Sequence, residues 1–106
     1  PVAINLGLGL VPIRKPGKLP HHTLSVEYEL EYGSNRLEIH RDALQPGMRV
    51  VLIDDLLATG GTVGAACNLL EQLGAEIVET AFVIELRFLN GRTRLANRPI
   101  YSLLTY

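Results

Sequence analysis

The stretch V50-V-L-I-D-D-L-L-A-T-G-G-T62 decides the fold. Four apolar residues, Val50 to Ile53, run into two adjacent acids, Asp54 and Asp55, and then into a small glycine-threonine loop. A continuous apolar run of this length reads as a strand buried on both faces of a parallel sheet. After the loop, Thr62 to Leu73 repeats apolar residues at helical spacing (Val63, Ala66, Cys67, Leu70, Leu73), and Gly74 supplies a stop. Ile77 to Leu86 is a second apolar strand. Strand, helix and strand make one βαβ unit, whose crossover is expected to be right-handed.

In an open α/β sheet, ligands sit beyond the carboxyl ends of the strands. Ala58 to Thr62 lies at such an end, just ahead of a helix N-terminus. Gly60 and Gly61 let backbone amides approach a ligand closely, and Thr59 and Thr62 add hydroxyl donors. The helix dipole favours an anion there, so a phosphate monoester fits. The plainer alternative is a capped turn with Thr62 as N-cap. Two carboxylates at a strand end repel each other and gain little as structure. They make sense as acceptors for a diol or as neighbours of a cation that the ligand carries. One of them bonding only to nearby amides is the bland alternative. A Walker loop needs a lysine after its last glycine, and none follows Gly61. The early "GLGLVP" lacks the third glycine of a dinucleotide fingerprint. Phosphate beside a diol and a metal suggests ribose phosphate.

Outward from this unit, Val2 to Leu6 reads as the last turn of a helix stopped by Gly7 or Gly9, and Leu10 to Arg14 as a short strand that Pro12 pushes toward a sheet edge or an irregular end. Lys15 to His22 is rich in Pro and Gly and reads as a loop. Ser25 to Tyr32 and Arg36 to His40 alternate apolar and polar residues across Gly33 to Asn35, a hairpin signal. Leu89 to Leu95 reads as a loop or short turn and Pro99 to Leu104 as a final strand. His21, His22 and His40 carry no assigned role, and Cys67, on the apolar helix face, reads as core.

The chain has 106 residues, 47% hydrophobic and 20% charged, with a net charge of −1. That composition suits a small globular core and offers no broad basic surface for nucleic acid. No apolar run approaches the roughly 20 residues that span a bilayer, and no secretory signal is visible. A single cysteine makes no internal disulfide and suits a reducing compartment or a neutral packing role. A cytoplasmic location is expected.

The central stretch resembles the phosphoribosyl pyrophosphate motif of the type I phosphoribosyltransferases. Together with "IRKPGKLP" (Ile13 to Pro20), "LEYG" (Leu30 to Gly33) and "DALQPGMRVVLIDDLLATGGT" (Asp42 to Thr62), the chain resembles the adenine phosphoribosyltransferases. That resemblance implies an α/β fold: the C-terminal part of a Rossmann-like parallel sheet, with a β-hairpin flexible-loop insertion at about 15–40. It implies transfer of 5-phosphoribosyl from phosphoribosyl pyrophosphate to adenine, giving AMP and pyrophosphate, in purine salvage. Ala58, Thr59, Gly60, Gly61 and Thr62 would cradle the 5′-phosphate. Asp54 and Asp55 would face the ribose hydroxyls and the developing positive charge, with Leu56 among the substrate-binding residues. Arg14, Lys15 and Lys18 would bind pyrophosphate. Glu31 would exchange the proton at the adenine imidazole ring and Tyr32 would help cover the site; periodicity alone puts Glu27, Glu29 and Glu31 on one solvated strand face. Magnesium would ride mainly on the donor's own oxygens, with no protein metal ligand named.

The full-length protein is expected to be a homodimer without nucleic-acid or membrane partners. Pro1 enters with no lead-in, and the family carries more chain ahead of it: a first core strand, a pyrophosphate loop and a base-binding hood. The expectation is therefore a single domain incomplete at its N-terminus, with apolar strand surface exposed and no catalysis by the 106 residues alone. The other readings are an enzyme for hypoxanthine, guanine, xanthine or orotate, and a regulator that senses phosphoribosyl pyrophosphate or purines without turnover.

Overall fold

The structure is a computed structural model that describes residues 1–15, 23–30, 33–95 and 98–106, with the side chains of 27–30 and 33–35 excepted. Helix α1 (Val2–Leu6) ends at Gly7 in the left-handed region. Strands β1 (Thr23–Leu30) and β2 (Gly33–His40) form an antiparallel pair. Strand β3 (Arg49–Leu57) leads into helix α2 (Gly61–Gln72), which returns to β4 (Glu76–Glu85). Two 3₁₀ turns (Arg87–Leu89 and Gly91–Leu95) connect to β5 (Ile100–Thr105). The second sheet is parallel throughout, in the order β3-β4-β5.

Helix α2 holds these two sheets together. Toward the hairpin, Ala65, Ala66, Leu69 and Leu70 pack with Leu37 and Ile39. Toward the parallel sheet, Val63 and Cys67 pack with Leu57, Phe82 and Leu95. The single apolar stripe expected from helical spacing therefore widens to two. Ala65 and Leu69, absent from that stripe, are buried because a second layer covers the helix.

Four further sequence expectations need correction. Leu10 to Arg14 is not a strand; Arg14 makes only an isolated antiparallel bridge to Glu38. Gly33 to Asn35 do not separate the hairpin strands but belong to β2, with Gly33 paired to Leu30. β3 does not stop at Ile53. It continues through both acids to Leu57, because β4 keeps pairing with it: Asp54 with Phe82, Leu56 with Ile84 and Leu57 with Glu85. Nor is β3 buried on both faces. Val50, Leu52 and Asp54 turn inward while Val51 and Ile53 stay about half exposed, at 50% and 51%. On the same sheet Val83, Tyr101 and Leu103 are also exposed. Among the described residues α2 covers one face only, so the expected exposure of apolar strand surface is found. A register shift between Val50 and Val51 lets β4 carry one extra residue; beyond it Thr80, Phe82 and Glu85 are buried.

Candidate functional site

The site is built where β3 gives way to α2. Gly60 is the N-cap of α2, at φ 87° and ψ 0°, and no side chain caps the helix. The capping role offered to Thr62 is thus overturned: Thr62 lies inside the first turn and is exposed. A helix start leaves its first amides without intrahelical acceptors, and its dipole adds partial positive charge there. Gly60 and Gly61 are buried, whereas Ala58 and Thr59 are half-buried. The Gly60 backbone sits so close to the 3₁₀ turn after β4 that a Cβ on it would overlap the Gly91 carbonyl oxygen and lie 3.1 Å from the Arg94 Cβ. Only glycine satisfies both the positive φ and this approach.

Beside the loop is a cavity of about 240 Å³, lined by Asp54, Arg14, Lys15 and Thr62 among its polar residues and by Leu52 and Val63 among its apolar ones. Segments far apart in sequence supply the opposing charges. Arg14 is placed by paired backbone hydrogen bonds with Glu38, from Arg14 N to Glu38 O at 2.9 Å and from Glu38 N to Arg14 O at 2.6 Å. Asp54 is half-buried, and its Oδ1 accepts a hydrogen bond from the Asp55 amide at 2.8 Å. Burial raises the Asp54 carboxyl above the ordinary carboxylate range; the Asp55 amide opposes the rise and the Asp55 carboxylate adds to it. Adjacent strand residues point to opposite faces, so Asp54 lines the cavity while Asp55 is exposed. Leu56 is 44% exposed, while Leu57 is buried under the loop. Lys18, Glu31 and Tyr32 lie outside the described residues.

Sequence reasoning missed a second polar cluster. Glu85, at the end of β4, is 2% exposed. Its carboxylate accepts from Arg92 Nε at 2.6 Å, Arg92 Nη2 at 2.8 Å and Ser102 Oγ at 2.9 Å. The Arg92 hydrogen bonds, against the effect of burial, hold the Glu85 carboxyl below its ordinary range. The one available signal was an acid closing an apolar strand, with an arginine seven residues on.

Among the described residues no group of three or more His, Cys, Asp or Glu side chains is placed to hold a metal, and no helix is long and apolar enough to cross a membrane.

A three-stranded parallel sheet with a glycine-threonine loop at the carboxyl end of its first strand and an acid-base cavity beside it is the arrangement of open α/β proteins, whose ligand sites lie beyond the strand ends. Residues 2–101 match the phosphoribosyl transferase domain, and the chain belongs to that family. It is 67% identical over 106 residues to the adenine phosphoribosyltransferase of Chloroflexus aurantiacus, covering 100% of this chain and 61% of the relative. The crystal structure of adenine phosphoribosyltransferase from Thermoanaerobacter pseudethanolicus superimposes with a TM-score of 0.97 at 56% identity, covering 100% of this chain and 62% of that one. The Saccharomyces cerevisiae adenine phosphoribosyltransferase, solved with an iminoaltritol bisphosphate and adenine, gives a TM-score of 0.91 at 47% identity, covering 96% of this chain and 57% of that one. The chain thus spans less than two thirds of the length of these relatives. The type I phosphoribosyltransferase fold expected from the sequence is the fold found.

Proposed function

We propose that this chain carries the donor-binding part of an adenine phosphoribosyltransferase, which moves 5-phosphoribosyl from phosphoribosyl pyrophosphate to adenine and releases AMP and pyrophosphate. The observation that carries this reading is the convergence of Asp54, Arg14 and Lys15 on one cavity at the start of α2. A phosphate on the Ala58 to Thr62 loop would put an attached ribose within reach of Asp54, and a departing pyrophosphate toward the two cations. The nature of the relatives supports adenine as the acceptor.

Each residue has a part in this mechanism. The backbone amides of Ala58 to Thr62 bind the 5′-phosphate, and the dipole of α2 adds to its affinity. Asp54 accepts hydrogen bonds from the ribose and stabilises positive charge developing at the anomeric carbon; Asp55 and Leu56 flank it on β3. Arg14, Lys15 and Lys18 neutralise the leaving pyrophosphate. Glu31 holds or releases the proton of the purine ring and Tyr32 shields the site from water, both on the "LEYG" motif alone. Because Asp54 and Asp55 diverge, the described residues suit a magnesium ion held by the donor's own oxygens rather than a protein cage. Bound there, magnesium would supply charge neutralisation on the pyrophosphate. The protein is proposed to act as a cytoplasmic homodimer. The 106 residues alone are proposed to give no turnover, because the open face of the parallel sheet favours association over a rigid site.

The test is a steady-state assay of the protein at the full length of its relatives, with phosphoribosyl pyrophosphate and adenine, hypoxanthine, guanine or orotate. Adenine is expected to be the preferred acceptor. Faster use of another base overturns the base assignment, and tight donor binding without turnover of any base overturns the enzyme reading.

A further inference from the structure

The phosphate loop does not set its own position. A Cβ on Gly91 would overlap the Ala58 carbonyl oxygen and lie 2.9 Å from Leu57 Cδ1 and 3.2 Å from the Gly60 nitrogen. Gly60 makes the reciprocal approach to the Gly91 carbonyl. Two backbones pass at a separation that no side chain permits, so a shift in the Gly91–Leu95 turn must move the loop or open a gap beneath it. The next residue, Arg92, fastens that turn. Its guanidinium forks onto both oxygens of the buried Glu85 carboxylate, and Ser102 on β5 adds a third donor. The turn's far end is buried through Leu95, in the same apolar cluster as Val63 of α2. Beside it, the Leu86 amide donates to the Leu57 carbonyl at 2.9 Å and ties the exit of β4 to the end of β3.

We propose that Glu85 and Arg92 are positioning residues for the phosphate loop: their paired hydrogen bonds fix Gly91, and Gly91 is the wall against which Ala58 to Gly60 are set. They touch no ligand and act through the loop. An arginine is required because one carboxylate oxygen is met by Nε and the other by Nη2, a two-point grip that resists rotation of the turn. A lysine supplies the charge but one point of contact. The ligand arm of this proposal rests on the phosphoribosyltransferase reading; the mechanical arm does not.

The test uses Arg92→Ala, Arg92→Lys and Gly91→Ala in the protein at the full length of its relatives. Gly74→Ala is the control, a positive-φ glycine whose added Cβ would meet Pro46 instead. Amide hydrogen exchange without ligand reads the loop through Gly64, which donates to Gly60 O, and through Leu86, with Leu73 near the far end of α2 as reference. Arg92→Ala and Gly91→Ala are expected to speed exchange at Gly64 and Leu86 by about tenfold or more over any change at Leu73. Arg92→Lys is expected to restore less than half of that protection. Calorimetry is expected to show ribose 5-phosphate binding weakened about tenfold in the same variants and adenosine binding within about twofold of wild type. Gly74→Ala perturbs the end of α2 beside Leu73, so it is read on the absolute rates: exchange at Gly64 and Leu86 and both affinities should stay within about twofold of wild type.

Exchange that rises equally at Leu73, or ribose 5-phosphate and adenosine weakening together, would show ordinary destabilisation and overturn the proposal. So would unchanged ribose 5-phosphate affinity in variants of a wild type that binds it. A wild type that binds no ribose 5-phosphate, while Gly64 and Leu86 still respond locally, refutes the phosphoribosyltransferase reading and supports the mechanical coupling.

Discussion

Gly60→Ala adds one methyl group at the point where the loop is most constrained. Two effects combine. At φ 87° an alanine sits in the left-handed region, which costs an L-residue about 1–2 kcal/mol. The new Cβ also overlaps the Gly91 carbonyl oxygen and presses on the Arg94 Cβ from 3.1 Å; relieving such a contact in a packed region typically costs about 1–3 kcal/mol. The stiffer unfolded chain returns about 0.4–1 kcal/mol. A net loss of about 1–4.6 kcal/mol follows, a large share of the roughly 5–15 kcal/mol that holds a domain together. Gly7 separates the two effects: it too has a positive φ, 66°, but nothing lies within 4 Å of its added Cβ. Gly7→Ala is therefore expected to lose about 1 kcal/mol or less, from the dihedral term alone. Urea unfolding of both variants, at unchanged slope, measures the difference directly. Calorimetry should then show ribose 5-phosphate affinity reduced in Gly60→Ala and intact in Gly7→Ala. Equal midpoints for the two variants would refute the claim that the Gly60–Gly91 approach is tight, and with it the account of how the loop is held.

Leu69, fully buried between the hairpin and the parallel sheet, should lose about 2–5 kcal/mol on substitution by alanine, whereas Leu56→Ala, at 44% exposure, should stay within about 1 kcal/mol; chemical denaturation decides it. Asp54→Asn is expected to be more stable than wild type at neutral pH. The folded-state carboxyl is raised above its unfolded value by burial, so its contribution is favourable at acid pH and is lost as pH rises through the folded value. The stability gap should close on acidification, and turnover at pH 7 should fall by about 10²–10³-fold; a gap that widens in acid contradicts the sign. Glu31→Ala should lower kcat by about 10²–10⁴-fold while leaving donor affinity nearly unchanged, and equal damage from Glu27→Ala or Glu29→Ala would replace the special role of Glu31 with a general effect of that strand face.

The βαβ unit was legible because its signals are local. An apolar run, a glycine-threonine loop and a helical repeat each carry their own periodicity. Helix α2 and strand β4 fall within about one residue of their expected ends. What failed was set by partners. Asp54 to Leu57 look like the start of a loop, yet they stay extended because Phe82, Ile84 and Glu85 continue the ladder beside them. Leu10 to Arg14 has the composition of a strand and lacks a neighbour along most of its length. Ala65 and Leu69 fall off a single helical stripe, and their burial depends on the hairpin residues Leu37 and Ile39 that join their cluster from another layer.

The same division runs through the site. The loop's residue types announce an anion site from sequence, since glycines, threonines and a following helix imply it without reference to anything else. The loop's placement does not, because it is settled by Gly91, more than two dozen positions further on, and by an ion pair between the end of β4 and the turn that follows. Glu85 shows why. Read along the chain, it is one polar residue closing an apolar strand, the ordinary point at which a strand meets water. In the fold it is 2% exposed, a position that a carboxylate holds only when every oxygen finds a donor. Arg92 and Ser102 supply those donors from two different elements. A residue whose burial requires partners from both the turn and β5 is coupled to both, and through Gly91 that coupling reaches the loop proposed to bind the phosphate.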